Sequence, residues 1–132
     1  MRIQIKDFMS SPVTTAMLDD NVLEIRTLMK EKGINAIPIV QYSNDKLKIE
    51  TTIKGIITAT DICKEVSDDA LVKDMINASL VHIAHVNTSA KSAAKMMLKH
   101  NVHHIIAMEE GEIKGMVSSL DFVKLVAEHT LD

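Results

Sequence analysis

Along the chain the apolar positions switch between two periods. Within residues 21–33 they recur at helical spacing, with Val22, Ile25, Leu28 and Met29 on one face. Asn21 stands before this run and Glu24 three residues after it, the form of a capping box. Gly33 closes the run, where a left-handed residue costs little. Residues 36–40 are short and continuously apolar, as in a buried strand. Ser43-Asn44-Asp45 reads as a turn, and residues 47–57 return as a second strand. A second helix is expected from about Thr60, carrying Ile62 and Val66. Ahead of these elements, residues 5–9 form a short amphipathic turn that leads through Pro12 to a β-prone stretch at 13–15.

The pattern then recurs. Lys6-Asp7-Phe8-Met9 is echoed by Lys73-Asp74-Met75-Ile76, and Gly55-Ile56-Ile57-Thr58-Ala59-Thr60-Asp61 by Gly115-Met116-Val117-Ser118-Ser119-Leu120-Asp121. The second copy predicts a strand at 81–83 and a helix over 89–100 with Ser89 as its cap. Asn101 takes the place of Gly33, since Asn also tolerates the left-handed region. Strands at 104–108 and 113–117 flank Glu110-Gly111, a tight hairpin signal. A last helix is expected over 119–128. One such unit is too small to bury its sheet and two helices alone. The expectation is therefore an α/β protein of the α+β type. Two tandem repeats, 1–67 and 68–132, each pack a small β-sheet with two helices and are related by pseudo-twofold symmetry in one globule.

Composition narrows the function. Of 132 residues, 46% are apolar and 25% charged, so a core can form. Aromatics are limited to Phe8, Tyr42 and Phe122, and the formal net charge is −3. With neither stacking platforms nor a basic stripe, nucleic-acid binding is disfavoured. Cys63 stands alone, so no intrachain disulfide forms. The opening residues lack signal-peptide form and no run is long enough for a membrane span, so a cytoplasmic location is expected.

Order, spacing and duplication of these segments together resemble the CBS domain, and the pair resembles a Bateman module. The likeness rests on Lys6 to Met9 with Pro12, Gly33-Ile34-Asn35-Ala36-Ile37-Pro38-Ile39-Val40, Gly55 to Asp61, Lys73-Asp74-Met75, Asn101-Val102-His103-His104-Ile105, and Gly115 to Asp121. Ile106 stands where the first half has Pro38, which alters the shape expected of the second site. The resemblance implies a regulatory or sensor module and not an enzyme. It implies an adenosine-containing ligand (AMP, ADP, ATP, S-adenosylmethionine or, in some members, NAD) held in a cleft between the repeats, and no obligatory cofactor. It also implies a homodimer that modulates a partner protein of unknown identity. The alternative is a ligand-free interaction or oligomerisation scaffold.

The motif chemistry can be read on its own. A helix starting just after Thr58 would offer unpaired N–H groups and partial positive charge to a phosphate. Thr58 and Thr60 add hydroxyls, and the Asp61 carboxylate suits the 2′- and 3′-hydroxyls of a ribose. Ser118, Ser119 and Asp121 repeat this arrangement, with Leu120 in the place of Thr60, so the first half is expected to favour phosphate more strongly. The same residues also satisfy helix starts with no ligand present, as caps. The base is expected against Ile37 and Pro38, or Ile105. His104 stands where members of the family often contact ligand phosphate. No metal site is expected, because His103 and His104 are adjacent and point to opposite faces of a strand. Cys63 has no identifiable base beside it, and no catalytic triad or phosphate-cradling Gly-rich loop is present.

Overall fold

The computed structural model describes residues 2–43, 50–63, 65–76 and 81–129. The turn expected at Asn44-Asp45 and the first residues of the strand expected from 47 lie outside them. The chain divides into two compact units, Thr14–Val81 and Met1–Val13 with His82–Asp132.

In the unit Thr14–Val81, β1 (Ala16–Met17) is followed by α1 (Val22–Lys32), β2 (Ala36–Tyr42) and β3 (Thr51–Thr58). The sheet order is β1-β2-β3, with β1 parallel and β3 antiparallel to β2. Asn21 caps α1 by accepting the Glu24 N–H at 2.9 Å, and Gly33 ends it at φ 64°. The reciprocal arm of the capping box is absent; the Glu24 carboxyl shares a hydrogen bond with that of Asp20, which raises its pKa. Val22, Ile25 and Met29 of α1 pack on Ile37, Ile39 and Ile57 of the sheet. β1 begins at Ala16, later than the stretch expected at 13–15; Ala16 is buried and pairs with Ile39.

The helix expected from Thr60 does not form: residues 59–62 are turns. Two causes combine. Thr58, Thr60, Ile62 and Val66 are β-branched, which weakens a short helix. The chain must also return quickly to the start of α1, because the Asp68 and Ala70 carbonyls accept the Leu23 and Val22 N–H groups at 3.1 and 2.8 Å. These bonds satisfy orphan donors at the α1 N-terminus.

The other unit repeats the topology with β4 (Ile83–His85), α2 (Ala90–His100), β5 (His104–Glu109), β6 (Glu112–Ser118) and α3 (Ser119–Glu128). The sheet order is β4-β5-β6, and Ile106 faces Met116 just as Pro38 faces Ile56. Ser89 and left-handed Asn101 bound α2, and the hairpin turns on Glu110 and Gly111, both at positive φ, as a type I′ turn requires. Here the final helix does form, from Leu-, Ala-, Lys- and Glu-containing sequence. The tandem α+β architecture is as expected, with three α-helices and two three-stranded sheets among the described residues.

Each leading segment joins the body of the other sequence repeat. The 3-10 turn Ile5–Asp7 belongs with His82–Asp132: Ile5 is fully buried among Ala84, Val86, Ala93 and Ile105, and its N–H donates to the Thr88 carbonyl at 2.9 Å. The 3-10 turn Val72–Asp74 belongs with Thr14–Val81, where the Val72 N–H donates to the Asp20 carbonyl at 2.8 Å. The duplicated glycines make room for this. A Cβ on Gly115 would lie 2.7 Å from Met9 Cγ and 2.9 Å from the Ser10 carbonyl, and one on Gly55 3.0 Å from Ile76 Cβ. Met9 and Ile76 are themselves equivalent positions of the repeat.

Candidate functional site

Both strand ends are built alike. The Ala59 N–H donates to the Asn35 carbonyl at 2.9 Å, and the Ser119 N–H to the His103 carbonyl, also at 2.9 Å. Each bond ties the residue after the last strand to the residue before the middle one. Ala36 thereby faces Thr58, and His104 faces Ser118.

In the first repeat Asp61 turns back on Thr58. Its Oδ2 accepts the Thr58 N–H at 2.8 Å and the Thr58 hydroxyl at 3.0 Å. Asp61 Oδ1 takes no hydrogen bond from a described residue, while Thr60 is exposed. In the second repeat Asp121 Oδ2 accepts the Ser118 N–H at 2.8 Å, and the Ser118 hydroxyl oxygen accepts the Asp121 N–H at 3.3 Å, a complete capping box. Ser119 is exposed. The carboxylates thus satisfy their own strand ends and keep one oxygen toward other donors.

The helix N-terminus assumed behind Thr58 is absent, so one of the features read there for phosphate is missing, while the exposed Thr60 hydroxyl, on which the first-half preference rested, is present. Only Ser118 stands at a helix start. The Thr58 hydroxyl, taken from sequence as a donor to phosphate, donates to Asp61 instead. Ile37 and Ile105 are fully buried within the hydrophobic clusters of their own units, so their side chains offer no surface to a base. Pro38, on the opposite face of β2 from Ile37, is also buried.

His104 is half-buried and its neighbour His103 exposed, in line with strand alternation. Burial, and then the charge of His103, lowers the pKa of His104, with Asp121 opposing. Elsewhere the rings of His82 and His100 stack at 4.5 Å. Among the described residues, no three His, Cys, Asp or Glu side chains converge as metal ligands would. Cys63 is free and exposed.

Arg26 carries no mark in the sequence. From α1 its Nη2 donates to the Ile62, Cys63 and Val66 carbonyls at 3.2, 2.7 and 2.8 Å, and its Nη1 pairs with Asp68. Bonds to main-chain carbonyls carry no residue signature, so the sequence held no signal for them. Arg26 also lines an open hollow of about 360 Å³ with Met29, Lys30, Ile34, Ala59 and Ile62.

Two repeats of one small α+β unit, each ending a strand on a hydroxyl residue clasped by an aspartate, define a tandem-module protein. The CBS-domain model matches residues 5–68 and 72–128, and the chain belongs to that family. Among curated proteins it is similar to inosine-5′-monophosphate dehydrogenase of Korarchaeum cryptofilum, 26% identical over 117 residues, and to that of Staphylococcus aureus, 25% over 109. Those matches cover 88% and 82% of this chain but only 23% and 21% of the relatives, so the chain spans under a quarter of their length.

Among solved structures it resembles the CBS domain pair of protein MJ0100 in complex with 5′-methylthioadenosine and S-adenosyl-L-methionine. The TM-score is 0.79 at 24% identity, covering 96% of this chain and 98% of the other. The CBS domain of the bacterial CNNM/CorC family Mg2+ transporter in complex with ATP gives 0.77 at 18% identity, covering 97% and 89%. An uncharacterized conserved protein from Pyrococcus horikoshii gives 0.78 at 24%, covering 100% and 97%. These likenesses establish the fold. No helix among the described residues is long and apolar enough to cross a membrane.

Proposed function

We propose that this chain is a regulatory module, not an enzyme, that binds an adenosine-containing ligand at its strand-end motifs and relays occupancy to a partner protein. The observation that carries this reading is the duplicated aspartate clasp, Thr58–Asp61 and Ser118–Asp121, each with a carboxylate oxygen left for ribose hydroxyls. It is supported by the ligands named for two structures of the same fold, 5′-methylthioadenosine with S-adenosylmethionine, and ATP. Thr60 and Ser119 would reach the ligand from exposed positions and His104 from the rim of the second motif, while Ile37, Pro38 and Ile105 would contribute main-chain groups. A reducing cytoplasm suits the free Cys63.

Two copies are proposed to pair through the face that α3 leaves open. Leu120 and Val123 are each 60% exposed, and Leu98, on α2 against which α3 packs, is 84% exposed. Burying such a face is favourable at roughly 25 cal/mol per Å2 of apolar area. Light scattering is expected to give a dimer mass for the native chain and a monomer mass for Val123→Glu; a native monomer contradicts the pairing.

The second reading, a ligand-free scaffold, draws on one observation: Thr58 and Asp61 satisfy each other without a ligand. A thermal-shift screen separates the two. With AMP, ADP, ATP, S-adenosylmethionine, methylthioadenosine, NAD and GTP at about 1 mM, a ligand at one hundred times its Kd stabilises the fold by about 2.7 kcal/mol. The sensor reading expects a rise with at least one adenosine compound. A flat response to all of them leaves the scaffold.

A further inference from the structure

The Thr58-to-Asp61 motif sits at the start of a segment whose described residues form no helix to hold it. In the second repeat the equivalent residues open α3, and helical hydrogen bonds fix Asp121. In the first, one guanidinium collects carbonyls of this segment, those of Ile62, Cys63 and Val66, all on Arg26. Asp68, at the far end of the segment, closes the other side of the same guanidinium. The repeat supplies a control. Aligning the two helices by their caps, Asn21 with Ser89 and Gly33 with Asn101, and by their buried pairs, Ile25 with Ala93 and Met29 with Met97, puts Ala94 where Arg26 stands. The arginine is present in the repeat that lacks the helix and missing from the repeat that has it.

We infer that Arg26 is a positioning residue for the first-repeat ligand site, its planar guanidinium substituting for the missing helix in holding Thr58, Thr60 and Asp61 in place. This rests on the ligand-binding reading proposed above. A guanidinium suits the task because it presents several fixed donors and stays charged at all relevant pH. A lysine ammonium has fewer fixed directions and can satisfy only part of the set. Local order of this kind sets the affinity of a site, because a loose loop must be ordered when the ligand arrives.

The test compares the native chain with Arg26→Met, which keeps the aliphatic stem, and Arg26→Lys. Hydrogen exchange is followed by residue, and titration calorimetry uses ATP and S-adenosylmethionine as probes. Arg26→Met is expected to speed exchange in residues 59–66 about tenfold while leaving β2 and β5 unchanged. It is also expected to weaken whichever probe binds the native chain about tenfold, with Arg26→Lys intermediate in both readouts. Unchanged exchange at 59–66, faster exchange throughout β2, or unaltered affinity in Arg26→Met each overturns the role of Arg26. Failure of both probes on the native chain is a different result: it overturns the ligand-binding reading and the positioning role with it.

Discussion

Asp61 and Asp121 each clasp their own strand end, and ribose binding is proposed for both; the repeats allow the two roles to be separated. Asp121 completes a helix capping box, so Asp121→Ala is expected to lower stability by about 1 kcal/mol in urea denaturation. Asp61 caps no helix. Asp61→Ala is expected to change stability less and to weaken an adenosine ligand about ten- to hundredfold, the loss of charged hydrogen bonds worth roughly 1.5–3 kcal/mol. Equal destabilisation by the two substitutions, with affinity untouched, would show clasping of the strand ends to be the whole role. His104 gives a pH prediction. Its folded pKa lies below the ordinary 6.5, so the unfolded chain binds the extra proton first. Stability is fully present above that value and declines as pH falls through it. The decline is expected to shrink in His104→Gln when melting is compared at about pH 7.5 and 5.5. These residues were legible because duplication marked Thr58, Asp61, Ser118 and Asp121 at matching places. Arg26 was not, since three of its four partners are carbonyls that any residue supplies.

At the scale of elements, α1, α2 and α3 could be placed from caps and periodicity almost to the residue. Asn21, Ser89, Gly33 and Asn101 all act as their types suggest. The hairpin at Glu110-Gly111 was equally plain. The helix expected from Thr60 failed because tertiary bonds from Asp68 and Ala70 to the start of α1 shorten the segment, and local propensity contains no trace of them. The destination of the leading segments was hidden for the same reason: a short amphipathic turn does not reveal which sheet receives it. Gly115 tests that packing. Gly115→Ala must push against Met9 and the Ser10 carbonyl, and is expected to lose about 1–3 kcal/mol. Gly55→Ala meets only the Ile76 side chain and is expected to lose less. The reverse order in chemical denaturation would contradict the assigned contacts. Deleting residues 2–10 is likewise expected to accelerate hydrogen exchange in β5 and β6 before β2 and β3, because Ile5 fills the core beneath them.

At the scale of the whole molecule, the chain is a CBS-family protein whose repeats share a plan and differ in their finish. One strand end opens a helix and the other leads into a segment bound by an arginine, so two unequal ligand sites are expected. A ligand that regulates must bind one state of the module more tightly than another, and its effect on a partner is bounded by that difference. Titration calorimetry of S-adenosylmethionine and ATP into the native chain and into the Asp61→Ala, Asp121→Ala double variant addresses this most directly. Saturable binding of at least one of the two to the native chain is expected, weakened at least about tenfold in the double variant while its cooperative unfolding is retained. Binding that survives both substitutions, or no binding of either compound to the native chain, would contradict that expectation.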